Sequence, residues 1–219
     1  MSRFIKYYLE EIEKYGGIRN YVTAKSIEKK PFLNRIKKYA KDKYVIEAGC
    51  GSAANSIFLS NEGFHVTCVD KDPDMIEFAK QNFKSFKKKP KFINSDIRNL
   101  NKLKSNFDVS FSHGVLEHYR DQKIIELINS QLAIAKFVLI SVPSNFFKSS
   151  QAINGDERFL DKKHWINLIQ KTNGKLIESF GYFYDSNELK IRLLKLLSIL
   201  TLNKLPKTKP YFGFVMGRR

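Results

Sequence analysis

The sequence predicts an α/β protein built on a seven-stranded, mostly parallel sheet with helices on both faces. Short apolar runs alternate with helical stretches along most of the 219 residues, as in sheets whose parallel strands are joined by crossover helices. Residues 44–70 combine a strand, a glycine turn, a small-residue helix and a second strand in one βαβ unit. An apolar content of 42% at this length favours a globular chain with a substantial core.

The predicted elements follow one another without a visible internal repeat. Predicted strands occupy residues 44–46, 64–69, 91–94, 107–111, 137–141, 175–184 and 211–216. Predicted helices occupy residues 3–15, 30–40, 52–59, 73–83, 123–135, 162–171 (capped by Asp161) and 188–200. The last of these helices carries a leucine stripe, which favours packing on the sheet or a dimer contact over a membrane surface. Residues 143–160 form a long loop, and loops of that length in compact domains are usually functional.

The turn at residues 49–51 would bring backbone N–H groups and a helix N-terminus close to a nucleotide-type cofactor. Asp70 ends the second strand, where its carboxylate could accept hydrogen bonds from a ribose diol. The spacing Gly49-x-Gly51-x-x-Ala54 also fits the dinucleotide fingerprint, so the glycines alone leave the cofactor open. Glu47 would repel a pyrophosphate, and it suits a ligand that carries an ammonium and a sulfonium group.

Here the chain resembles the class I S-adenosylmethionine-dependent methyltransferases. Residues 47–52, Glu-Ala-Gly-Cys-Gly-Ser, are similar to the family's first motif, although Ala53 stands where a third glycine is frequent. Residues 68–75 resemble the ending of the second strand, and residues 94–97 resemble the segment that holds the adenine. Residues 107–118 resemble the fourth strand and the helix after it. The resemblance covers roughly residues 40–184 and depends on four motifs in the family's order.

The resemblance implies a Rossmann-like fold in which the last strand is antiparallel. It implies one methyltransferase domain over residues 1–219, with a helical cap (1–40), a cofactor-binding core (41–184) and a C-terminal helix and strand (185–219). The implied cofactor is S-adenosyl-L-methionine. The implied cofactor-binding residues are Glu47, Gly49, Cys50, Gly51, Asp70, Lys71, Met75, Asp96, Ile97 and His113. Among them, Asp96 would accept a hydrogen bond from the adenine amino group, opposite the Ile97 N–H.

Two histidines are the candidate catalytic residues. His113 ends the fourth strand beside the expected methyl group, and His118 lies in the tract after it. Either imidazole could take a proton from an acceptor at neutral pH, although both could instead pack or cap. The candidate substrate-binding residues are Tyr7, Ser144, Arg158 and Phe159. Arg158 could clamp a carboxylate or phosphate in two-pronged fashion, or it could lie in an exposed turn.

The acceptor is predicted to be a small molecule, methylated at oxygen or nitrogen. A net charge of +17 leaves open an RNA methyltransferase, although the lysine-rich clusters lack the arginine and aromatic residues typical of nucleic-acid contacts. An NAD-dependent oxidoreductase and a non-enzymatic binding module are further alternatives. The two cysteines form no CxxC pair, so no metal is predicted. The chain shows neither a signal peptide nor a membrane span, which favours a cytoplasmic enzyme. The expected oligomeric state is a monomer or a homodimer.

Overall fold

The structure, a computed structural model, describes residues 2–88, 90–103, 106–145, 147, 153, 155–182 and 211–218. Its strands are β1 (Tyr44–Ala48), β2 (His65–Asp70), β3 (Lys91–Asn94), β4 (Phe107–His113), β5 (Ala135–Pro143), β6 (Gly174–Tyr182) and β7 (Tyr211–Arg218). They form one seven-stranded sheet in the order β3-β2-β1-β4-β5-β7-β6. The pairs from β3 to β5 are parallel, whereas β7 runs antiparallel to both β5 and β6. The predicted fold class, including the antiparallel last strand, is confirmed.

The helices are α1 (Arg3–Lys14), α2 (Ile18–Glu28), α3 (Lys30–Tyr39), α4 (Ala54–Asn61), α5 (Pro73–Phe83), α6 (Asp121–Ile134) and α7 (Lys162–Gln170). Two 3₁₀ turns cover Ile97–Lys102 and Leu116–His118. The helix predicted over residues 188–200 lies outside the described residues. Among the described residues, no helix combines the length and apolar character needed to cross a bilayer.

Helix α2 was absent from the sequence prediction because charged residues interrupt its buried face. Tyr21 and Val22 are buried there together with Lys25 and Glu28. The ammonium group of Lys25 lies 3.2 Å from a Glu28 carboxylate oxygen and 3.3 Å from Glu11 on α1. The ion pairs let two charged side chains occupy positions that a hydrophobic pattern would assign to apolar residues.

The two faces of the sheet carry separate cores. Val45 of β1 faces the first core, which is formed with α2 to α5, and the next residue, Ile46, faces the second core, formed with α6 and α7. Trp165 of α7 is fully buried in the second core. Helices therefore cover both faces of the sheet, so a cofactor-sized ligand must approach it at an edge.

Helix caps fix the direction in which the chain leaves the strands. Asp72 accepts a hydrogen bond from the Asp74 N–H at 2.9 Å, with Pro73 at the first helical position of α5. Asp161 caps α7 in the same way, accepting from the His164 N–H at 2.7 Å. Strands β1, β2, β4 and β5 are parallel, so their carboxyl ends meet at one edge of the sheet.

Candidate functional site

A cavity of about 150 Å³ lies at the carboxyl edge of the sheet. Its walls come from α1, the glycine turn after β1, the ends of β4 and β5, and described residues between 147 and 159. Seven of the predicted site residues line it: Tyr7, Glu47, Gly49, Cys50, His113, His118 and Phe159. The remaining predicted residues are Gly51, Asp70, Lys71, Met75, Asp96, Ile97, Ser144 and Arg158, which do not line it.

The two glycine positions of the turn, 49 and 51, have no room for a side chain. Gly49 and Gly51 have φ values of 78° and 51°, in the left-handed region that favours glycine. A Cβ atom on Gly49 would lie 2.7 Å from a methyl group of Val115. A Cβ atom on Gly51 would lie 2.6 Å from the hydroxyl oxygen of Tyr8. The turn thus presents bare backbone to the cavity, and Tyr8 of α1 covers it.

Tyr8 also explains why the cavity is small. Its ring stacks with Phe78 of α5 at 6.3 Å between centroids. Burial raises the pKa of Tyr8 well above its usual value, and the nearby Asp70 and Glu47 carboxylates raise it further. A volume of about 150 Å³ is below the roughly 300–1,000 Å³ of ligand pockets. A nucleoside-sized ligand on the turn therefore requires Tyr8 to move aside.

Asp70 lies beside the turn, although it does not reach the cavity wall. One carboxylate oxygen accepts from the Gly51 N–H at 3.3 Å, and the other accepts from the Asp72 N–H at 3.1 Å. Burial raises the pKa of Asp70, which the backbone hydrogen bonds partly offset. A carboxylate can accept about four hydrogen bonds, so Asp70 keeps acceptor capacity for a ligand's hydroxyl groups.

Glu47 is buried below the turn and holds the start of α4. Its carboxylate accepts from the Asn55 amide at 2.8 Å and from the Ser56 hydroxyl. Burial raises the pKa of Glu47 and lowers the pKa of Lys29, another buried residue of the cavity wall. The two opposite charges partly offset these shifts. The sequence analysis did not select Lys29, which stands at the start of a lysine-rich segment. Nothing in the sequence distinguishes the one buried lysine of such a segment from its exposed neighbours.

His113 forms part of the cavity wall between two aromatic rings. Its ring centroid lies 5.6 Å from those of both Phe32 and Tyr211. Burial lowers the pKa of His113 well below its usual value, and the positive charge of Lys29 lowers it further. The imidazole is therefore neutral at pH 7, and a nitrogen of such low basicity is a weak proton acceptor.

Glu117 is a cavity residue that the sequence analysis did not select. Its side chain is buried, and its Oε2 atom has no hydrogen-bond partner among the described residues. Burial raises its pKa to about 7. The sequence analysis selected the adjacent His118 as the titratable residue of this tract. An acid directly after the apolar residues Val115 and Leu116 could also have indicated a buried, titratable group.

His118 belongs to a small polar cluster at the rim of the cavity. Its Nδ1 atom lies 2.7 Å from an Asp156 carboxylate oxygen, and the edge of its ring meets Phe4 at 5.8 Å. One atom each of His118, Asp156 and Glu157 that could ligate a metal ion lies within 4.8 Å of the other two. The two Glu157 oxygens accept from the backbone N–H groups of Ile153 and Gly155, both at 2.8 Å. These carboxylates already have protein partners, and the absence of a metal stays a prediction.

Arg158 does not line the cavity, and the clamp on an anionic acceptor stays a prediction. Its guanidinium donates to the Tyr119 carbonyl and to the Asp121 carboxylate, both at 2.7 Å. Its backbone N–H donates to the Glu117 carbonyl at 3.0 Å. These bonds link Arg158 to the segment after β4, including the backbone of Glu117.

The predicted adenine segment is engaged in local contacts. Asp96 accepts from the Arg98 N–H at 2.8 Å and pairs with the Arg98 guanidinium at 2.8 Å, which caps a 3₁₀ turn. The Ile97 carbonyl accepts from the Ser130 hydroxyl at 2.7 Å. Lys71 is exposed, with its ammonium group 5.9 Å from the centroid of the Tyr119 ring. The other two residues, Met75 and Ser144, are buried.

Comparison with known protein families identifies a match over the part of the chain that contains the glycine turn. A family model described as a methyltransferase domain matches residues 45–136, which span β1 to the start of β5 and include the glycine turn, Asp70 and Glu117. No curated protein matches the chain at a significant level.

Solved structures share the fold at low sequence identity. An S-adenosylmethionine-dependent methyltransferase from Archaeoglobus fulgidus is 19% identical, with a TM-score of 0.67 over 97% of this chain and 99% of that one. Magnesium protoporphyrin IX methyltransferase from Synechocystis PCC 6803, with bound S-adenosylmethionine, is 16% identical, with a TM-score of 0.60 over 90% and 78%. The methyltransferase domain of bacterial CtHen1-C is 15% identical, with a TM-score of 0.65 over 90% and 98%.

Proposed function

We propose that this chain is a class I S-adenosylmethionine-dependent methyltransferase and that it methylates an oxygen or nitrogen atom of a small-molecule acceptor. The observation that carries the proposal is a cavity that joins the glycine turn to the buried Glu117 carboxyl group, whose Oε2 atom has no hydrogen-bond partner among the described residues. Turnover on a panel of hydroxyl and amine acceptors tests it.

The residues around the turn fit the cofactor. Gly49 and Gly51 form a tight turn in which Val115 and Tyr8 leave no room for a Cβ atom, and Asp70 keeps acceptor capacity for ribose hydroxyls. Glu47 would orient the turn through α4 and face a ligand's positive charge. When bound, S-adenosylmethionine supplies a methyl group that leaves its sulfonium sulfur by in-line displacement. The chain's own part is then to align the acceptor and to exclude water.

Aromatic side chains on the far side of the cavity suit a small acceptor. Phe147 packs against Phe159 at 5.8 Å and against Tyr211 at 5.4 Å between ring centroids. Tyr7 and Phe4 of α1 close the cavity from above. Such walls bury a small ligand with a few polar groups to orient it, which is the usual composition of a small-molecule site. A folded RNA would need a more open, cationic surface at this point.

Glu117 is the residue that would take the proton from the acceptor. Its pKa of about 7 matches a general base at neutral pH, whereas His113 is held neutral with a pKa well below its usual value. The Glu117 Oε2 atom has no hydrogen-bond partner among the described residues, so it remains able to bind the acceptor's hydroxyl or amine. His113 would then shape the wall beside the acceptor.

Thermal unfolding distinguishes the proposed cofactor from NAD. At a hundred times its Kd, S-adenosylhomocysteine should stabilise the folded chain by about 2.7 kcal/mol and raise the melting temperature. NADH at the same concentration should leave the melting temperature unchanged, because a pyrophosphate bound at the glycine turn would be repelled by the Glu47 carboxylate. Stabilisation by NADH alone would contradict the cofactor assignment.

RNA methylation is the second candidate function. A net charge of +17 favours it, and the CtHen1-C domain shares the fold. If the lysine faces are only solvated, RNA binding should be weak and unselective, and the affinity should fall steeply between low and physiological salt. Filter binding at two salt concentrations measures this. Tight, structure-selective binding at physiological salt would make RNA the preferred acceptor.

A further inference from the structure

A second cavity lies at the opposite edge of the sheet, where the strands begin. It has a volume of about 430 Å³. Four of the residues that line it are the first residues of four strands: Tyr44, His65, Lys91 and Phe107. The glycine turn, Asp70 and Glu117 all lie at the other edge, so this amino-edge cavity is separate from the proposed methyl-transfer site.

Three lysines give the amino-edge cavity a positive charge. Lys88 and Lys91 line it, and the ammonium groups of Lys43 and Lys88 both lie 3.8 Å from the position of a Cβ atom on Gly63. Among the described residues, no carboxylate lines the cavity and none of these lysines forms an ion pair. The Asp108 carboxylate accepts from the Tyr44 N–H at 3.2 Å and is paired with Lys136 at 2.9 Å. Glu62, which precedes Gly63, is engaged by Lys37 at 3.4 Å.

The backbone fixes one of these lysines in an unusual conformation. Lys43 has a φ of 64°, a left-handed value that is uncommon for a residue with a side chain. Its carbonyl accepts a hydrogen bond from the His65 N–H at 2.8 Å, which ties it to the start of β2. Like charges held close together repel each other, so a bound anion would stabilise this arrangement.

An aromatic pair adds a flat surface to the same cavity. The rings of Tyr44 and His65 stack at 4.7 Å between centroids with an interplanar angle of 19°. Tyr44 is 48% exposed, which is high for a tyrosine at the start of a central strand. Exposed aromatic rings beside lysines are the combination with which proteins bind the bases and phosphates of unpaired nucleotides.

We propose that the amino-edge cavity binds a nucleoside phosphate, with the phosphate among Lys43, Lys88 and Lys91 and the base stacked on Tyr44. Lysine binds phosphate as a point charge, and three of them suit a group that carries close to two negative charges. The ligand is either a free nucleotide, whose phosphate is a monoester, or an unpaired nucleotide of an RNA strand, whose phosphate is a singly charged diester, since both offer a base beside an anionic phosphate. At this edge it would anchor or regulate and would not be methylated.

Calorimetric titration of the full chain with AMP tests the proposal. Saturating S-adenosylhomocysteine is present throughout, so that AMP cannot occupy the cofactor site. The double variant Lys43→Gln/Lys88→Gln should bind AMP at least about tenfold more weakly, as expected when charge-assisted contacts are lost. Its matched control is Lys162→Gln/Lys171→Gln, which removes the same charge from exposed positions around α7 and should bind AMP like the wild type. Equal loss in both double variants would overturn the proposal.

Two further arms separate the base from the phosphate and the two sources of the ligand. Tyr44→Leu should weaken AMP binding by about fivefold or more and leave the binding of inorganic phosphate unchanged, because stacking involves only the base. Equal affinity for AMP and phosphate in the wild type would overturn the stacking contact. A single-stranded oligonucleotide that binds better than AMP, and loses this advantage in the lysine double variant, identifies RNA as the source. No AMP or oligonucleotide binding to the wild type would overturn the proposal, whatever the outcome of the methylation assays.

Discussion

Replacement of Glu117 by Gln is expected to lower kcat by about 10²–10⁴-fold, the range for loss of a general base. Gln keeps the size of the side chain but cannot accept a proton. Because the proposal assigns Glu117 to the acceptor and not to the cofactor, the affinity for S-adenosylhomocysteine should change little. The measurement is steady-state turnover with whichever acceptor the panel identifies, together with cofactor binding by calorimetry.

The pH profile identifies the group that titrates. The carboxylate must be ionised to act, so wild-type kcat/KM, which reports the pKa values of the free enzyme, should rise with pH through about 7, the pKa of Glu117, and level off above it. In Glu117→Gln this rise through pH 7, the acidic limb of the profile, should disappear. The matched control is Glu157→Gln, which alters a second acid of the same cavity whose oxygens are bonded to the backbone, and which should keep the limb.

His113→Ala tests the histidine that the sequence favoured. If His113 were the base, this variant would lose about 10²–10⁴-fold in rate, and Glu117→Gln would keep its pH limb. We expect instead that His113→Ala keeps the limb near pH 7 and loses rate through a poorly packed wall. Retention of the limb in Glu117→Gln would return the catalytic role to His113.

The parts of the site that the sequence predicted are local in the chain. The turn at Gly49 and Gly51 and the acid at Asp70 follow from a strand–turn–helix–strand pattern within 30 residues, because a left-handed turn demands glycine wherever it occurs. The parts that it missed depend on other elements. Tyr8 covers the turn because of how α1 packs, and burial of Lys29 and Glu117 depends on chain segments far away in sequence.

Residue type alone does not identify the partner of a charged side chain. Arg158 has the chemistry of an anion clamp, and in this structure Asp121 and the Tyr119 carbonyl accept hydrogen bonds from two of its nitrogen atoms. Asp96 stands at the position where the resemblance predicts an adenine contact, and its carboxylate accepts a hydrogen bond from the nearby Arg98 guanidinium. In each case a nearby protein group competes with the ligand, and only three-dimensional distances show which group is near enough.

Asp70→Ala is expected to weaken S-adenosylhomocysteine binding by about 1.5–3 kcal/mol, the range for a hydrogen bond to a charged group. The buried carboxylate would lose its contacts with ribose hydroxyls, and the Gly51 N–H would lose its 3.3 Å acceptor, which loosens the turn. Asp96→Ala is the matched control: its carboxylate is already paired with Arg98, so its removal should cost the cofactor clearly less. Calorimetry on both variants measures the difference, and melting curves without ligand verify that both fold. A larger loss in Asp96→Ala would place the dominant cofactor contact at the adenine segment and remove the ribose role from Asp70.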